Sequence, residues 1–340
     1  MKVTIKDIAR YANVSIATVS MVVNKKDQRI GEDTKQRVLK AIEDLGYVPN
    51  RLASSMKTKK TKAIGLVLPD IRNPFFPELA KGVEDCAQEH GYHVILCNTN
   101  NSIAKEQQSI EMLREKMVEA IILTASGHSQ NNNLYFEKLD IPLVTVDRPM
   151  EGKGLSGAIS TDNELGSYHA VKYLYERGYQ QIIHLSGPMN LPTSQARYNG
   201  YERACEEFGT YKAMRSIECT YSIESGYQAT NELILSHKVF DGLFCGNDLI
   251  AIGAIKALHE HNIQIPDQVG IVGFDDIYMA ELITPPLTTV RQPIYDIGYN
   301  AMHIALQIID HSMNNELGKS NLQKVHKKLD TSLIIRRSTR

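Results

Sequence analysis

Ser15-Ile-Ala-Thr18-Val-Ser20-Met-Val-Val-Asn24 is the stretch that decides the fold of this chain. A serine opens the run, and Val19, Val22 and Val23 recur at the spacing of one helical face. A short apolar segment over residues 5–12 and a tight turn come immediately before it. Two short helices joined by a tight turn form a helix-turn-helix unit, whose second helix fits the major groove of DNA.

The side of this second helix opposite the valines carries the residues that we expect to face base edges. Beyond the unit, the basic segment that follows Pro49 is either a linker or a short helix that orders when a second copy pairs with it on DNA. In the second case Leu52 or Met56 would wedge into the minor groove. The expected DNA contacts are Thr4, Ser15, Ile16, Ala17, Thr18, Ser20, Met21, Asn24, Asn50, Arg51, Met56 and Lys57.

A third helix is predicted over residues 32–45, and Gly46 would end it. Its expected core residues are Val38, Leu39, Ile42 and Leu45. Three helices are sufficient to bury a small core, so the head is expected to fold as one compact domain.

Charge is divided unevenly along the chain. Residues 1–62 contain 14 Lys and Arg against 6 Asp and Glu, whereas the remaining residues contain 24 against 33. The net charge of −1 is therefore the sum of +8 in the head and −9 in the body. A basic head is what binding to a polyanion requires.

The 340 residues are enough for two to three domains. No run of 18 apolar residues and no secretory apolar core occur in the sequence, so we expect a cytoplasmic protein that associates with the nucleoid, with no membrane partner. The five cysteines form no CxxC pair and are expected to be buried, reduced thiols. We expect neither a metal nor an organic cofactor.

Several motifs of the head resemble the lactose-repressor (LacI) family of bacterial transcription regulators. They are Thr-Ile-Lys-Asp-Ile-Ala, Val-Ser-Ile-Ala-Thr-Val-Ser, Gly-Tyr-Val-Pro-Asn and Lys-Thr-Lys-Lys-Thr. The resemblance implies a three-helix head, a hinge helix at about residues 50–57 with Met56 as its wedge, and a homodimer on a palindromic operator. Met21 stands where many members place Arg or another polar base reader.

Apolar runs alternate with amphipathic segments after residue 62, which predicts an α/β body with parallel sheets covered by helices on both faces. Buried strands are expected at 63–68, 93–96, 120–123, 143–146, 181–185, 242–245 and 269–272. The expected domains are a helix-turn-helix head at 1–48, a hinge and linker at 49–62, and an effector-binding and dimerisation body at 63–340. The strand-helix rhythm runs twice and predicts two doubly wound lobes. The resemblance to the LacI family implies that they are periplasmic-binding-protein-like, with lobe one at about 63–161 plus 291–322 and lobe two at about 162–290 plus 323–340.

Polar and aromatic side chains collect just beyond these strands, where ligands bind in open α/β sheets. Carboxylates, amides, guanidinium groups and flat rings together suit the hydroxyls and C–H faces of a sugar. The set also resembles the sugar contacts of bacterial ribose-binding proteins, with Tyr221 in place of a Phe. The expected effector contacts are Asn73, Phe75, Phe76, Asp147, Arg148, Arg197, Tyr221, Asn247, Asp275 and Gln292.

The sequence therefore predicts a DNA-binding repressor that a small sugar controls, with ribose the favoured ligand. The sign of the control does not follow from the residues, and the resemblance to the family implies induction. A catabolite-control regulator with a phosphorylated protein as corepressor is an alternative, although His303 stands where such regulators carry Arg. A purine-responsive repressor is a second alternative. A sugar-processing enzyme with a DNA-binding head is a third, but no catalytic constellation supports it, and we expect no enzymatic activity.

Overall fold

A computed structural model describes residues 3–24, 26–47, 61–127, 135–150, 152, 154–209, 215–314 and 325–340. The chain divides into two compact units, residues 1–61 and residues 62–340. In these described ranges, every helix is too short or too polar to cross a membrane.

The described part of the first unit folds into α1, Ile5–Tyr11, α2, Ile16–Val23, and α3, Glu32–Asp44. The Thr4 hydroxyl donates to the Asp7 carboxylate at 2.6 Å, and the backbone N–H of Thr18 donates to Ser15 Oγ at 3.0 Å. Side chains thus satisfy polar groups at the first turns of α1 and α2. Asn13, with φ of 53°, makes the tight turn between these two helices.

The core of this unit lies where the three helices meet. Val19 and Val22 of α2 are buried there, with Ile8 of α1 and Val38 of α3. The prediction that Leu39 belongs to this core is wrong, because 43% of it is exposed. The buried stripe of α3 follows i, i+3, i+4 and i+7 spacing from position 38, and position 39 is turned about 100° away from that stripe.

The second unit contains two sheets. The first, called sheet one, has the strand order β11-β5-β4-β3-β1-β2, and every pair of neighbouring strands described in it is parallel. Its described strands are β1, Ala63–Leu68, β2, His93–Asn98, β3, Ala120–Leu123, β4, Leu143–Val146, β5, Gly157–Thr161, and β11, Val325–Leu329. The strand predicted at 93–96 is present as β2. The prediction that this strand is buried is wrong, because β2 lies at the sheet edge and Leu96 is 47% exposed.

A second sheet, sheet two, has the order β12-β10-β9-β8-β6-β7, and only the pairing of β12 with β10 is antiparallel among its described strands. These strands are β6, Ile182–Ser186, β7, Arg215–Glu218, β8, Gly242–Cys245, β9, Gly270–Asp275, β10, Thr288–Arg291, and β12, Ser332–Ile334. Fully buried central strands such as β8 and β9 require helices on both faces.

Helices cover both sheets. They are α4, Phe75–Glu89, α5, Ile103–Glu115, α6, Asn163–Glu176, α7, Pro192–Glu207, α8, Ile223–Leu235, α9, Asp248–Glu260, α10, Met279–Leu282, and α11, Ile294–Asn314. On sheet one, α4 and α11 share one apolar core and α5 joins a second. Gly82 permits close contact between α4 and α11, since a Cβ there would lie 2.1 Å from the Tyr295 carbonyl oxygen.

The chain crosses between the sheets three times in the described residues. It crosses after β5, where α6 packs on sheet two, after β10, where α11 packs on sheet one, and between β11 and β12. The predicted boundary that assigned residues 323–340 to lobe two is therefore wrong for β11, because β11 pairs with β5 of sheet one. No apolar run marks this strand in the sequence, because β11 is an exposed edge strand that contains one His and two Lys.

Candidate functional site

A cavity of about 600 Å³ lies in the second unit, at the ends of strands from both sheets. Nine of the ten residues predicted to contact an effector line it, and they are Asn73, Phe75, Phe76, Asp147, Arg148, Arg197, Tyr221, Asn247 and Asp275. Asp147 follows β4, Asn247 follows β8, and Asp275 ends β9. This is the position at which open parallel sheets bind ligands.

The backbone is unusual at the two carboxylates of the cavity. Asp147 has φ of 63° and Asp275 has φ of 114°, both in a region that non-glycine residues adopt rarely. Such conformations cost energy and concentrate at binding sites, where the surrounding structure holds them. The strands thus end in turns that direct two aspartates to the cavity.

Two arginines accompany these carboxylates, and all four groups are buried. Arg148 Nε lies 3.9 Å from Asp147 Oδ2, and Arg197 Nη2 lies 3.6 Å from Asp275 Oδ1. Burial raises the pKa of Asp147 and lowers the pKa of Arg148, and burial also raises the pKa of Asp275 to about 7. Each carboxylate therefore faces a cation without forming a close hydrogen-bonded pair with it.

Two hydrogen-bond donors that line the cavity are buried without a partner among the described residues, Arg148 Nε and Asn247 Nδ2. Asn247 Oδ1 accepts the backbone N–H of Ile250 at 2.9 Å and so caps α9. The amide oxygen of Asn247 is therefore already hydrogen-bonded, whereas, within the described residues, its Nδ2 is not. A buried donor left unsatisfied costs about 1–3 kcal/mol. These two donors are therefore available to hydrogen-bond acceptors of a ligand in the cavity.

Aromatic rings form the apolar walls. The rings of Phe75 and Phe76 meet edge to face with centroids 5.1 Å apart. Tyr221 stands in lobe two, and its hydroxyl lies 2.7 Å from Ser194 Oγ, which fixes the ring position. Flat rings on both lobes can pack against the C–H faces of a ring-shaped ligand.

Arg197 is held from three sides. Its Nε donates to Asn163 Oδ1 at 2.8 Å, its Nη1 donates to the Gly246 carbonyl, and its guanidinium lies 3.8 Å from the Phe274 ring centroid. These contacts leave the orientation of the guanidinium little freedom. The group is thereby preorganised at the cavity wall.

Gln292 is the one predicted effector residue that does not line the cavity. It lies behind Asp275 instead, where its Nε2 donates to Asp275 Oδ1 at 2.8 Å. Its Oε1 accepts the Thr161 hydroxyl. The structure thus places Gln292 as a support for a cavity residue.

Sequence reasoning missed other lining residues, namely Asp70, Arg72, Asn101, Ser126, Pro188, Asn190, Leu191, Thr193, Thr220, Ser222 and Glu224. Asp70 and Arg72 follow β1 directly, so the strand-end argument could have found them. Leu191 and Thr193 at the start of α7 could not be found that way, because α7 itself was not predicted.

Glu106 is a further missed residue, and it lies beneath the cavity. Its side chain is fully buried, and its Oε2 accepts the backbone N–H of Ser126 at 2.6 Å. Arg148 Nη1 donates to the carbonyl of the adjacent Ala125 at 2.5 Å. Burial raises the pKa of Glu106. Glu106 thus anchors the loop on which Arg148 rests.

The head presents the predicted α2 residues at its surface. Ile16 and Met21 are 46% and 39% exposed, Ala17 and Asn24 are also exposed, and Ser20 is half-buried. Thr4, Ser15 and Thr18 lie at the helix starts already described. Of the remaining predicted contacts, Asn50, Arg51, Met56 and Lys57 lie outside the described residues.

Two family models match the chain. One is described as bacterial regulatory proteins, lacI family, and matches residues 4–50. The other is described as periplasmic binding proteins and sugar binding domain of LacI family, and matches residues 61–328. The two matches coincide with the two units of the structure.

Relatives are similar over the full length. A ribose operon repressor of Halalkalibacterium halodurans is 37% identical over 99% of this chain and 97% of its own. The HTH-type transcriptional regulator RegA of Clostridium saccharobutylicum is 38% identical over 100% of both. The HTH-type transcriptional repressor PurR of Haemophilus influenzae is 35% identical over 99% of this chain and 98% of its own.

Solved structures are also similar to this chain over most of its length. The lac repressor dimer bound to operator and an anti-inducer has a TM-score of 0.88 at 24% identity, covers 100% of this chain and 99% of its own, and shows the fold. A LacI family transcriptional regulator from Enterococcus faecium with bound ribose has a TM-score of 0.72 at 30% identity, over 82% of this chain and 98% of its own.

Proposed function

Because this chain belongs to the LacI family of bacterial regulatory proteins, we propose that it is a repressor that binds operator DNA as a homodimer and releases it when ribose occupies the cavity. The observation that carries the sugar assignment is the combination, within one cavity, of two buried aspartates with the unpartnered donors Arg148 Nε and Asn247 Nδ2. A polyol both donates and accepts at every hydroxyl, and so satisfies both kinds of group.

The charge of the cavity favours a neutral ligand. Three arginines, Arg72, Arg148 and Arg197, line the cavity together with four carboxyl groups, those of Asp70, Asp147, Glu224 and Asp275. A phosphate would add negative charge to this set, whereas a neutral sugar leaves the balance unchanged. The cavity therefore suits a free pentose better than a sugar phosphate or a nucleotide.

Ribose is favoured within that class by the relatives. A ribose operon repressor and a ribose-bound regulator are both similar to this chain over most of its length. The cavity residues that motivated the sequence prediction lie together around one volume, with rings from both lobes available for the C–H faces of one sugar ring. The same relatives are regulators, so we propose binding without turnover.

DNA binding is assigned to the first unit. Its exposed α2 face, carrying Ile16, Ala17 and Met21, would enter the major groove, and two copies would read the two halves of a palindrome. The protein would accordingly act in the cytoplasm, on the nucleoid. Sugar binding would draw the two lobes together and lower operator affinity with a coupling free energy of about 1–3 kcal/mol.

The test begins with the wild-type chain. Its preferred duplex is selected from a random-sequence pool, and calorimetry then measures binding of pentoses, hexoses, purines and a phosphorylated carrier protein. We expect saturable ribose binding, no product formation from ribose, and weaker duplex binding when ribose is present. Binding of a purine but not of ribose, or tighter DNA binding with the phosphorylated protein alone, would overturn the sugar assignment.

A single variant separates the two functions. Asp275→Ala removes a cavity carboxylate and lies outside the first unit, so we expect it to abolish the ribose response and to retain duplex affinity. A retained ribose response in this variant would show that the effector binds elsewhere.

A further inference from the structure

Five buried residues form a nearly closed hydrogen-bonded ring at the place where the two lobes join, with one link through the Thr161 backbone carbonyl. Each is at most 5% exposed, and the members are Thr161, Asn163, Arg197, Asp275 and Gln292. This set is called the junction ring below. Its members come from distant parts of the sequence, so only the folded chain brings them together.

One branch of the junction ring runs through Gln292. The Thr161 hydroxyl donates to Gln292 Oε1, and Gln292 Nε2 donates to Asp275 Oδ1 at 2.8 Å. The other branch runs through Asn163, whose Oδ1 accepts Arg197 Nε at 2.8 Å and whose Nδ2 donates to the Thr161 carbonyl at 3.3 Å. Both branches therefore start at Thr161 and end at residues of the cavity.

The ring is open at one point. Arg197 Nη2 and Asp275 Oδ1 are 3.6 Å apart, which is too far for a hydrogen bond. Both residues line the cavity, so this gap is where a ligand can reach the ring. Two neighbouring hydroxyls, one accepting from Arg197 and one donating to Asp275, would close it.

The opposite side of the ring lies on the chain crossings. Thr161 ends β5 and Asn163 begins α6, so they flank the first crossing, and Gln292 follows β10 at the second. These segments must rotate when the lobes move relative to each other. The ring thus joins the ligand gap to the backbone that a closing motion bends.

We propose that Thr161 and Asn163 are positioning residues that transmit effector binding from the Arg197–Asp275 gap to the lobe crossings. This inference rests on the proposed function. A sugar that closes the gap completes the ring, and a completed ring of mutually polarised hydrogen bonds holds both crossings in one geometry. Without the side chains of Thr161 and Asn163, the sugar still binds in the cavity, but its binding no longer holds the chain crossings in one geometry.

The test uses Thr161→Val, which preserves shape and removes the hydroxyl that starts one branch. Thr230→Val is the matched control, since Thr230 is equally buried and its hydroxyl donates to the Gly226 carbonyl within α8, outside the ring. Asn163→Leu breaks the other branch and serves as the second variant if Thr161→Val folds poorly. The readouts are ribose affinity by calorimetry, duplex affinity with and without saturating ribose, and the melting temperature.

We expect the wild type and Thr230→Val to lose duplex affinity on ribose saturation by a factor of order 5 to 150, the usual range of allosteric coupling. Thr161→Val should bind ribose within about threefold of wild type, yet lose duplex affinity by less than about threefold on saturation. Asn163→Leu should show the same loss of response, with weaker ribose binding because Arg197 is released.

A ribose response of wild-type size in either ring variant would overturn the inference. So would an equal loss in Thr230→Val, because the effect would then follow from lost stability alone. Failure of the proposed function gives a different result, since the wild type itself would then show no ribose binding or no effect of ribose on the duplex.

Discussion

At the residue scale, we expect Asp275 to couple sugar binding to pH. Burial raises the pKa of its carboxyl group to about 7, so near neutrality both protonation states are populated. The charged form accepts hydrogen bonds from sugar hydroxyls better than the protonated form. We therefore expect ribose affinity to rise as pH increases from about 6 to about 8, with proton release on binding.

Asp275→Asn should weaken ribose binding and flatten this pH dependence. Burial also raises the pKa of Asp147, so Asp147→Asn is the comparison variant and should keep the part of the slope that belongs to Asp275. Calorimetry in buffers of different ionisation enthalpy measures both the affinity and the protons released. An unchanged slope in Asp275→Asn would assign the titration to another group.

Asn247 offers a second test at this scale, because its two amide atoms serve different purposes. Oδ1 caps α9, whereas the buried Nδ2 has no partner in the described residues. Serine caps helices about as well as asparagine, but it lacks this donor. We expect Asn247→Ser to lose about 1–2 kcal/mol of ribose binding and to unfold at nearly the wild-type temperature.

The control for Asn247→Ser is a cap outside the cavity lining. Ser102 Oγ accepts the Lys105 backbone N–H at the start of α5. Ser102→Ala should therefore cost about 1 kcal/mol of stability with unchanged ribose affinity. Opposite effects of the two variants would separate capping from binding, and parallel effects would contradict the role given to Nδ2.

At the element scale, α2 has one face in the core and an opposite, exposed face that we propose as the DNA contact. Val19 is fully buried, so Val19→Ala should destabilise the first unit by about 2 kcal/mol. Met21 is 39% exposed, so Met21→Ala should leave stability within about 0.5 kcal/mol of wild type and change the selected duplex sequence. Thermal unfolding and duplex selection measure the two effects. A stability loss in Met21→Ala would place Met21 in the core.

The secondary structure was predictable where apolar periodicity is strong. The strands β1, β3, β4 and β8 coincide with the predicted runs, because burial on both faces demands continuous apolar sequence. Two edge strands have little apolar signal: β7 is Arg-Ser-Ile-Glu, and β11 is Val-His-Lys-Lys-Leu. A strand with one open side can carry charged residues, and its pairing is decided by tertiary contacts.

The candidate site was predictable to the extent that it follows strand ends. Expected residues such as Asp147, Asn247 and Asp275 line the cavity because parallel strands deliver their carboxyl ends to one edge. Gln292 also follows a strand, but its side chain lies behind Asp275, a depth that local sequence does not encode. Asn163 accepts the Arg197 side chain and Glu106 accepts the Ser126 backbone N–H, and these partners lie 34 and 20 residues away along the chain.

At the scale of the whole molecule, the uneven distribution of charge predicts different salt dependences for duplex binding and for sugar binding. Residues 1–62 have a net charge of +8 and the remainder −9, whereas four charged residues of the cavity, Asp147, Arg148, Arg197 and Asp275, are buried. Duplex binding should release counterions from phosphate groups and therefore depend steeply on salt. Binding of a neutral sugar inside the cavity releases none, and its contacts are shielded from bulk ions.

Raising the salt concentration from about 50 to about 200 mM should therefore lower duplex affinity by about a thousandfold or more, if a dimer contacts six or more phosphates. Ribose affinity should change by less than about twofold over the same range. Anisotropy titrations with the selected duplex and calorimetry with ribose measure both quantities on one preparation. A ribose affinity that falls in parallel with duplex affinity would mean that the two ligands compete for the same basic surface, and a salt-independent duplex affinity would remove DNA phosphates from the contacts of the first unit.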